Sequence, residues 1–300
     1  MELPENWSSF KRIVVEKLKI YCDTGLWPFR FEDLASWLSN FDDEKDEYLA
    51  LQLLDSLIVR SNDMAKSCYA RLLHSSLRQL LLEKGLITQV TLPQWKRKLE
   101  SGDLKHQLRF ASVRTARDDG ESGSVIYRLL SSDVDTNKYS LSRSSSLPPV
   151  IILIDDFVGS GKQFIDDFAP EFDLNKKLEQ STVIYCPLIA YEDGIENLKE
   201  KFPDLHLLPG EILKRNASIF YGDANKQFKN DQVNTVGDVK GHFEKMKLKF
   251  APKMEMWLGF ESACLPLAFE WGCPNQTPSI FWMSYSSERD GWKKLFSRRA

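Results

Sequence analysis

Apolar residues recur at helical spacing through the first hundred residues of the chain. The first set comprises Leu34, Trp37, Leu38 and Phe41. Two further sets comprise Leu51, Leu54, Leu57 and Ile58, and Leu73, Leu77, Leu80 and Leu81. Spacing of this kind places each set on one face of a helix. We expect Asp42 to cap the second helix and the third helix to end near Gly85. Residues 1–104 are therefore predicted to be mostly helical, either as a winged-helix-like module or as a helical bundle.

The pattern changes in the second half of the chain, where apolar strands alternate with helices. Strands are predicted at 150–154, 183–189 and 205–208. Helices are predicted to begin at Phe164 and to cover 195–201. Alternation of strands and helices is typical of a parallel sheet with helices packed on its faces. The sequence therefore predicts an α/β domain over residues 105–300.

Composition limits the classes of function. The chain has 40 Lys and Arg against 43 Asp and Glu, a formal net charge of −3, which excludes nucleic-acid binding by bulk positive charge. No apolar run reaches the roughly 18 residues of a membrane helix, so we expect no membrane partner. The five cysteines contain no C-x-x-C pair, and neither a disulfide framework nor a bound metal is predicted. Residues 1–6 are acidic and do not resemble a signal sequence, which predicts a cytoplasmic protein.

The most informative motif follows the predicted strand at 150–154. Asp155 and Asp156 come directly after it, where open α/β sheets bind their ligands. A turn into a helix then contains Gly159, Ser160, Gly161, Lys162 and Gln163. Glycines let the backbone turn tightly and bring its N–H groups close to an anion, and the helix dipole adds roughly 0.3–1 kcal/mol per charge. Two carboxylates suit the vicinal hydroxyls of a ribose, so the motif predicts a site for a ribose 5-phosphate.

Two alternatives to this site remain open. The tetrapeptide 159–162 is similar to the end of a nucleotide-binding P-loop. That motif requires glycine at Asp156 and Ser or Thr at Gln163, and the acidic pair would repel a triphosphate. The other alternative is a strand with an acidic end and a glycine turn that binds no ligand.

The strand, acidic pair, small-residue turn and helix together resemble the phosphoribosyl-diphosphate-binding motif of type I phosphoribosyltransferases. The resemblance implies a Rossmann-like parallel sheet in which Asp155 and Asp156 are the catalytic residues that hold the ribose hydroxyls. It also implies that the turn 159–163 binds the 5-phosphate and that Mg²⁺ accompanies the diphosphate. Lys162 replaces a small residue of the usual motif, and Gln163 replaces the Thr or Ser whose hydroxyl meets the phosphate.

The C-terminal sequence narrows this resemblance. Segments 258–262, 274–282 and 292–298 are similar to the ending of the divergent phosphoribosyltransferase-like effector domains of bacterial conflict systems, the PRTase-CE family. The resemblance covers about residues 105–300. It implies a toxin effector in antiphage defence, with a retron-type reverse transcriptase and its RNA/DNA complex as partner.

Two segments upstream of the motif are further candidates. Ser122, Gly123 and Ser124 occupy the place where such enzymes have a diphosphate-binding loop, although a solvated loop explains them equally well. The serine-rich segment 131–146, with Lys138 and Arg143, is either a lid over the diphosphate or a disordered insertion.

Three functions are consistent with these features. The leading hypothesis is an effector that binds phosphoribosyl diphosphate and transfers the ribosyl phosphate to a base, another acceptor or water. The second is a catalytically silent module that senses a nucleotide or phosphoribosyl ligand and regulates a partner complex. The third is a P-loop nucleotidase. The sequence contains no recognisable Ser-His-Asp or Cys-His set, which favours catalysis by positioning and electrostatic stabilisation.

Overall fold

The computed structural model describes residues 1–114, 125, 128–144, 146–222, 228, 231–284 and 291–298. The α-helices named below are α1 (Trp7–Asp23), α2 (Phe31–Leu38), α3 (Glu44–Asp55), α4 (Asn62–Arg71), α5 (Arg78–Glu83), α6 (Leu92–Ser101), α7 (Thr136–Tyr139), α8 (Ala169–Glu171), α9 (Leu174–Gln180), α10 (Glu192–Lys201) and α11 (Val236–Phe250). The strands are β1 (Ile58–Arg60), β2 (Leu108–Ser112), β3 (Val150–Val158), β4 (Thr182–Tyr191), β5 (His206–Leu207), β6 (Glu211–Leu213) and β7 (Leu267–Phe269). Within this part of the chain, no helix combines the length and the apolar character needed to cross a membrane.

Strands β2 to β6 form a five-stranded parallel sheet. The order is β2-β3-β4-β5, and β6 pairs with the end of β4. The register aligns Leu108 with Val150 and Val150 with Thr182. Strands β3 and β4 lie in the middle of the sheet and are apolar almost throughout, as expected where helices cover both faces. The predicted α/β fold with a parallel, Rossmann-like sheet is confirmed.

The chain forms two compact units. One contains Met1–Ser61 and Asn216–Arg299, and the other contains Asn62–Arg215. The predicted boundary between residues 104 and 105 lies inside the second unit. Residues 62–104 belong with the sheet because their helices bond to it and its connections. Tyr69 of α4 donates a hydrogen bond to a main-chain carbonyl of β3, and the hydroxyl of Tyr139 donates to the carbonyl of Lys98, 2.7 Å away.

The unit that contains Met1–Ser61 and Asn216–Arg299 is held together by long-range packing. Strand β1 pairs in parallel with β7, more than 200 residues later, and does not form the hairpin of a wing. The indole nitrogen of Trp37 donates to the carbonyl of Ile280 at 2.9 Å, and its ring stacks on Phe281 with centroids 5.3 Å apart. The N-terminal segment and the C-terminal segment therefore share one core.

Two local predictions in this unit are wrong in detail. Asp43, not Asp42, caps α3, because its carboxylate accepts hydrogen bonds from the main-chain amides of Lys45 and Asp46. The apolar residues at 280–282 predict a strand, but the segment forms a short 3₁₀ helix, Ser279–Phe281. Its three side chains are all buried, so their apolar run reflects core packing and not an extended backbone.

Most of the serine-rich segment 131–146 belongs to the packed fold. It contains α7 and a 3₁₀ helix, Leu141–Arg143. Tyr139 is fully buried, and its hydroxyl accepts a hydrogen bond from the amide of Leu104 at 3.0 Å. The described part of this segment is therefore anchored beside β2, which differs from both the lid and the disordered insertion considered above.

Candidate functional site

The acidic pair lies within β3, near its carboxyl end. Asp155 is aligned with Pro187 of β4, and the strand continues to Val158. The sequence placed the pair after the strand because its run of branched apolar residues ends at Ile154. Successive side chains of a strand point to opposite faces of the sheet. Asp155 and Asp156 are therefore separated onto the two faces.

Asp155 is held by two buried tyrosines. The hydroxyl of Tyr185 donates to Asp155 Oδ2 at 2.6 Å, and the hydroxyl of Tyr69 donates to the Asp155 carbonyl oxygen. The amide of Asp156 donates to Asp155 Oδ1 at 2.9 Å. Burial, reinforced by the charge of Asp155, raises the pKa of each tyrosine well above its usual value near 10. Both phenols therefore keep their protons and remain hydrogen-bond donors.

The two aspartates differ in their access to solvent. Asp155 is half-buried, whereas Asp156 is only 2% exposed. A ligand arriving at this edge from solvent therefore meets the carboxylate of Asp155, and in this arrangement Asp156 is covered by the fold.

The glycine turn after β3 packs closely against α10. The side-chain amide of Asn197 donates to the carbonyl of Ser160 at 2.9 Å. Gly161 has a φ of +81°, a backbone conformation that glycine adopts without strain. A Cβ atom on Gly194 of α10 would overlap the carbonyl oxygen of Gly159. Glycine at 194 therefore allows the main chain of α10 to contact the main chain of the turn directly.

The residues of the turn differ in hydrogen bonding and in exposure. Among the hydrogen bonds of the described residues, none is donated by the amide of Ser160 or Gly161. Ser160 is half-buried, and Gly161 is buried against α10. Lys162 and Gln163 are exposed where the helix begins. The next turn, Gln163–Phe168, is a π-helix, a geometry that is frequent at functional sites.

The remaining candidate residues include the predicted diphosphate loop, two cysteines and the tyrosines that contact Asp155. Ser122, Gly123 and Ser124 lie outside the described residues. Cys186 and Cys264, which lie in apolar runs of the sequence, are buried core residues. The contacts of Tyr69 and Tyr185 with Asp155 were not predicted from the sequence. Tyr185 lies in the predicted strand 183–189, where its alternate position could have indicated a side chain on the Asp155 face, but no sequence signal connects Tyr69 to β3.

One group of three side chains in the described part of the chain has metal-ligand spacing, namely Asp43, Asp46 and His242. Lys249 Nζ lies 2.7 Å from Asp46 Oδ2, so a cation already compensates the charge of Asp46. It lies in the unit that does not contain the sheet. At the carboxyl end of β3, the described residues form no such group.

Comparisons with known proteins place the chain in a family. No curated protein matches it. The structure of the AQ2163 protein from Aquifex aeolicus is similar at 12% identity over 47% of this chain and 85% of that chain, with a TM-score of 0.26, which is too weak to support an argument. A model of the PRTase-CE family matches residues 34–298, which extends the resemblance over 105–300 toward the N terminus. Because this match covers most of its length, the chain belongs to the PRTase-CE family of phosphoribosyltransferase-like domains.

Proposed function

We propose that this chain is a phosphoribosyltransferase-like effector that binds phosphoribosyl diphosphate at the carboxyl end of β3. The observation that carries the proposal is the position of Asp155. Its carboxylate is held by Tyr185, and Asp155 lies four residues before Gly159, the first residue of the turn that leads into the next helix. The family match supports the same assignment.

The carboxylate of Asp155 has the chemistry to bind a sugar. It accepts hydrogen bonds from the Tyr185 hydroxyl and the Asp156 amide, which fix its orientation. As an acceptor for hydroxyl donors, it suits the 2- and 3-hydroxyls of a ribose. The amide of Ser160 and the ammonium group of Lys162 would meet the 5-phosphate, with lysine replacing the hydroxyl that the usual motif supplies from the position of Gln163.

The proposed reaction breaks the bond between the anomeric carbon and the diphosphate oxygen. The bonding electrons leave with diphosphate, and a new bond forms from a base, another acceptor or water, which then loses a proton. Positive charge develops on the sugar, so the carboxylate of Asp155 stabilises the transition state electrostatically. Mg²⁺ bound to the diphosphate would neutralise the leaving group, and Asp155 is the side chain at this edge with the oxygen chemistry to contact it.

Calorimetry with phosphoribosyl diphosphate and Mg²⁺ tests the site. Hydrogen bonds to a charged acceptor contribute about 1.5–3 kcal/mol, so Asp155→Asn should raise the Kd by about tenfold or more. Asp166→Asn is the matched control, because Asp166 is an exposed aspartate on the following helix and should leave the Kd unchanged. Equal affinity of the folded Asp155→Asn chain and the wild type would refute the site.

A catalytically silent sensor is the second candidate, and the burial of Asp156 favours it. A type I site holds the ribose with both carboxylates, whereas here one of them is covered. Incubation with phosphoribosyl diphosphate and a panel of bases distinguishes the two. Diphosphate release that is lost in Asp155→Asn supports the enzyme, and binding without release supports the sensor.

The biological setting belongs to the same proposal. A role in antiphage defence, a cytoplasmic location and a reverse transcriptase with its RNA/DNA complex as partner are supported by the family resemblance described above. The chemistry of the site supports only the small-molecule ligand.

A further inference from the structure

A cavity lies at the opposite end of the sheet from Asp155. It has a volume of about 440 Å³ and is lined by residues from the turn before β2, from the start of β2 and from the segment 137–148. Arg109 is the second residue of β2, so the cavity lies at the amino ends of the strands. Its volume is within the range of about 300–1,000 Å³ that is typical of small-molecule sites.

The described lining of this cavity is strongly positive. It contains four cationic side chains, Lys105, Arg109, Lys138 and Arg143, and no carboxylate. Lys138 forms an ion pair with Asp135 outside the lining at 2.9 Å. Within the described residues, Lys105 and Arg143 form no ion pair, and both are exposed. The described lining of the cavity therefore carries net positive charge.

Arg109 is built into the wall of the cavity. It is only 8% exposed, and its Nη1 donates to the carbonyl of Lys138 at 2.6 Å and to that of Ser140 at 3.3 Å. Its Nε is buried and has no hydrogen-bond partner in the described structure. Burying a cation without an anionic partner, or a donor without an acceptor, costs free energy. An anion in the cavity would offset the cost of the buried charge.

We propose that this cavity binds the phosphate groups of a small polyanionic ligand that carries two or more linked phosphates. Several cations around one cavity match a multiply charged group better than a single carboxylate. The described lining contains no Phe, Tyr or Trp. Single-stranded nucleic acids are usually held by stacking on such rings, so the lining favours a small phosphorylated ligand over a nucleic acid. The site is independent of the phosphoribosyl site proposed at Asp155.

Titration calorimetry with inorganic pyrophosphate tests this proposal. All chains carry Lys162→Gln, which removes the cation of the glycine turn, so that binding there does not mask the cavity. The test variant adds Lys105→Gln and Arg143→Gln. The matched control adds Lys84→Gln and Lys176→Gln, which remove two exposed cations of the same unit outside the cavity.

The test variant should raise the Kd for pyrophosphate by at least about tenfold, the equivalent of one charge-assisted contact. The control should bind like its parent chain. Both pairs replace exposed side chains, so we expect unchanged circular dichroism spectra. The proposal is overturned if the parent chain does not bind pyrophosphate, or if the test variant and the control bind equally well. An oligothymidylate that binds the parent more tightly than pyrophosphate, and loses affinity in the test variant, would overturn the assignment to a small ligand.

Discussion

Gly194→Ala tests whether the glycine turn is positioned by direct backbone contact with α10. The new Cβ would stand 3.0 Å from the carbonyl carbon of Gly159, overlap its oxygen, and lie 3.3 Å from the amide nitrogen of Gly161. Main-chain atoms cannot rotate away as a side chain does, so the helix or the turn must move. Overpacking of this kind costs about 1–3 kcal/mol. Replacing glycine by alanine in a helix returns about 0.5–1 kcal/mol, which leaves a net effect between about zero and a loss of about 2.5 kcal/mol.

Urea unfolding of the two chains measures this difference in the free energy of unfolding. Gly241→Ala is the control, because Gly241 lies within α11 and a Cβ there has nothing within 4 Å. Only the gain in helix propensity applies to it, so it should stabilise the chain by about 0.5–1 kcal/mol. If Gly194→Ala is as stable as this control, the turn is not fixed by contact with α10 and the geometric reasoning is wrong.

Two further substitutions test buried polar contacts. Asp46→Asn should lower the free energy of unfolding by about 1.5–3 kcal/mol near neutral pH, because His242 and Lys249 lose a charged acceptor. Burial tends to raise the pKa of Asp46, but the hydrogen bonds from those two residues lower it overall below 3.8, so the stabilisation is present above about pH 4 and is lost as the pH falls through the lowered pKa. In urea unfolding across this pH range, the free energy of unfolding of Asp46→Asn should fall less on acidification than that of the wild type. Tyr185→Phe removes the hydroxyl that donates to Asp155 Oδ2, and should cost about 1.5–3 kcal/mol in the same assay.

Controls for these two variants come from exposed residues. Tyr221→Phe removes the hydroxyl of a tyrosine that is half exposed and should change stability by less than about 0.5 kcal/mol. Asp63→Asn alters an exposed ion pair with Lys66 and should leave the acid dependence unchanged. An acid dependence of Asp46→Asn that matches the wild type would contradict the assigned pKa shift. A Tyr185→Phe chain as stable as Tyr221→Phe would show that the contact with Asp155 contributes nothing.

Local sequence patterns determined much of this protein. The run of branched apolar residues at 150–154 fixed the central strand, because such residues favour a buried extended backbone whatever lies next to them. The alternation of strands and helices in the second half predicted the parallel sheet for the same local reason. The motif around Asp155 and the C-terminal segments were sufficient to indicate the family that the comparison confirmed.

Only the tertiary structure decided how these elements combine. The pairing of β1 with β7 joins residues more than 200 positions apart, and no local periodicity encodes that partner. The separation of Asp155 from Asp156 follows from the strand continuing past both, which depends on pairing with β4. The sequence does not distinguish Arg109 from other basic residues, and only the fold buries it beside a cavity. Periodicity is a property of neighbouring residues, whereas burial and charge compensation depend on what distant segments bring to the same place.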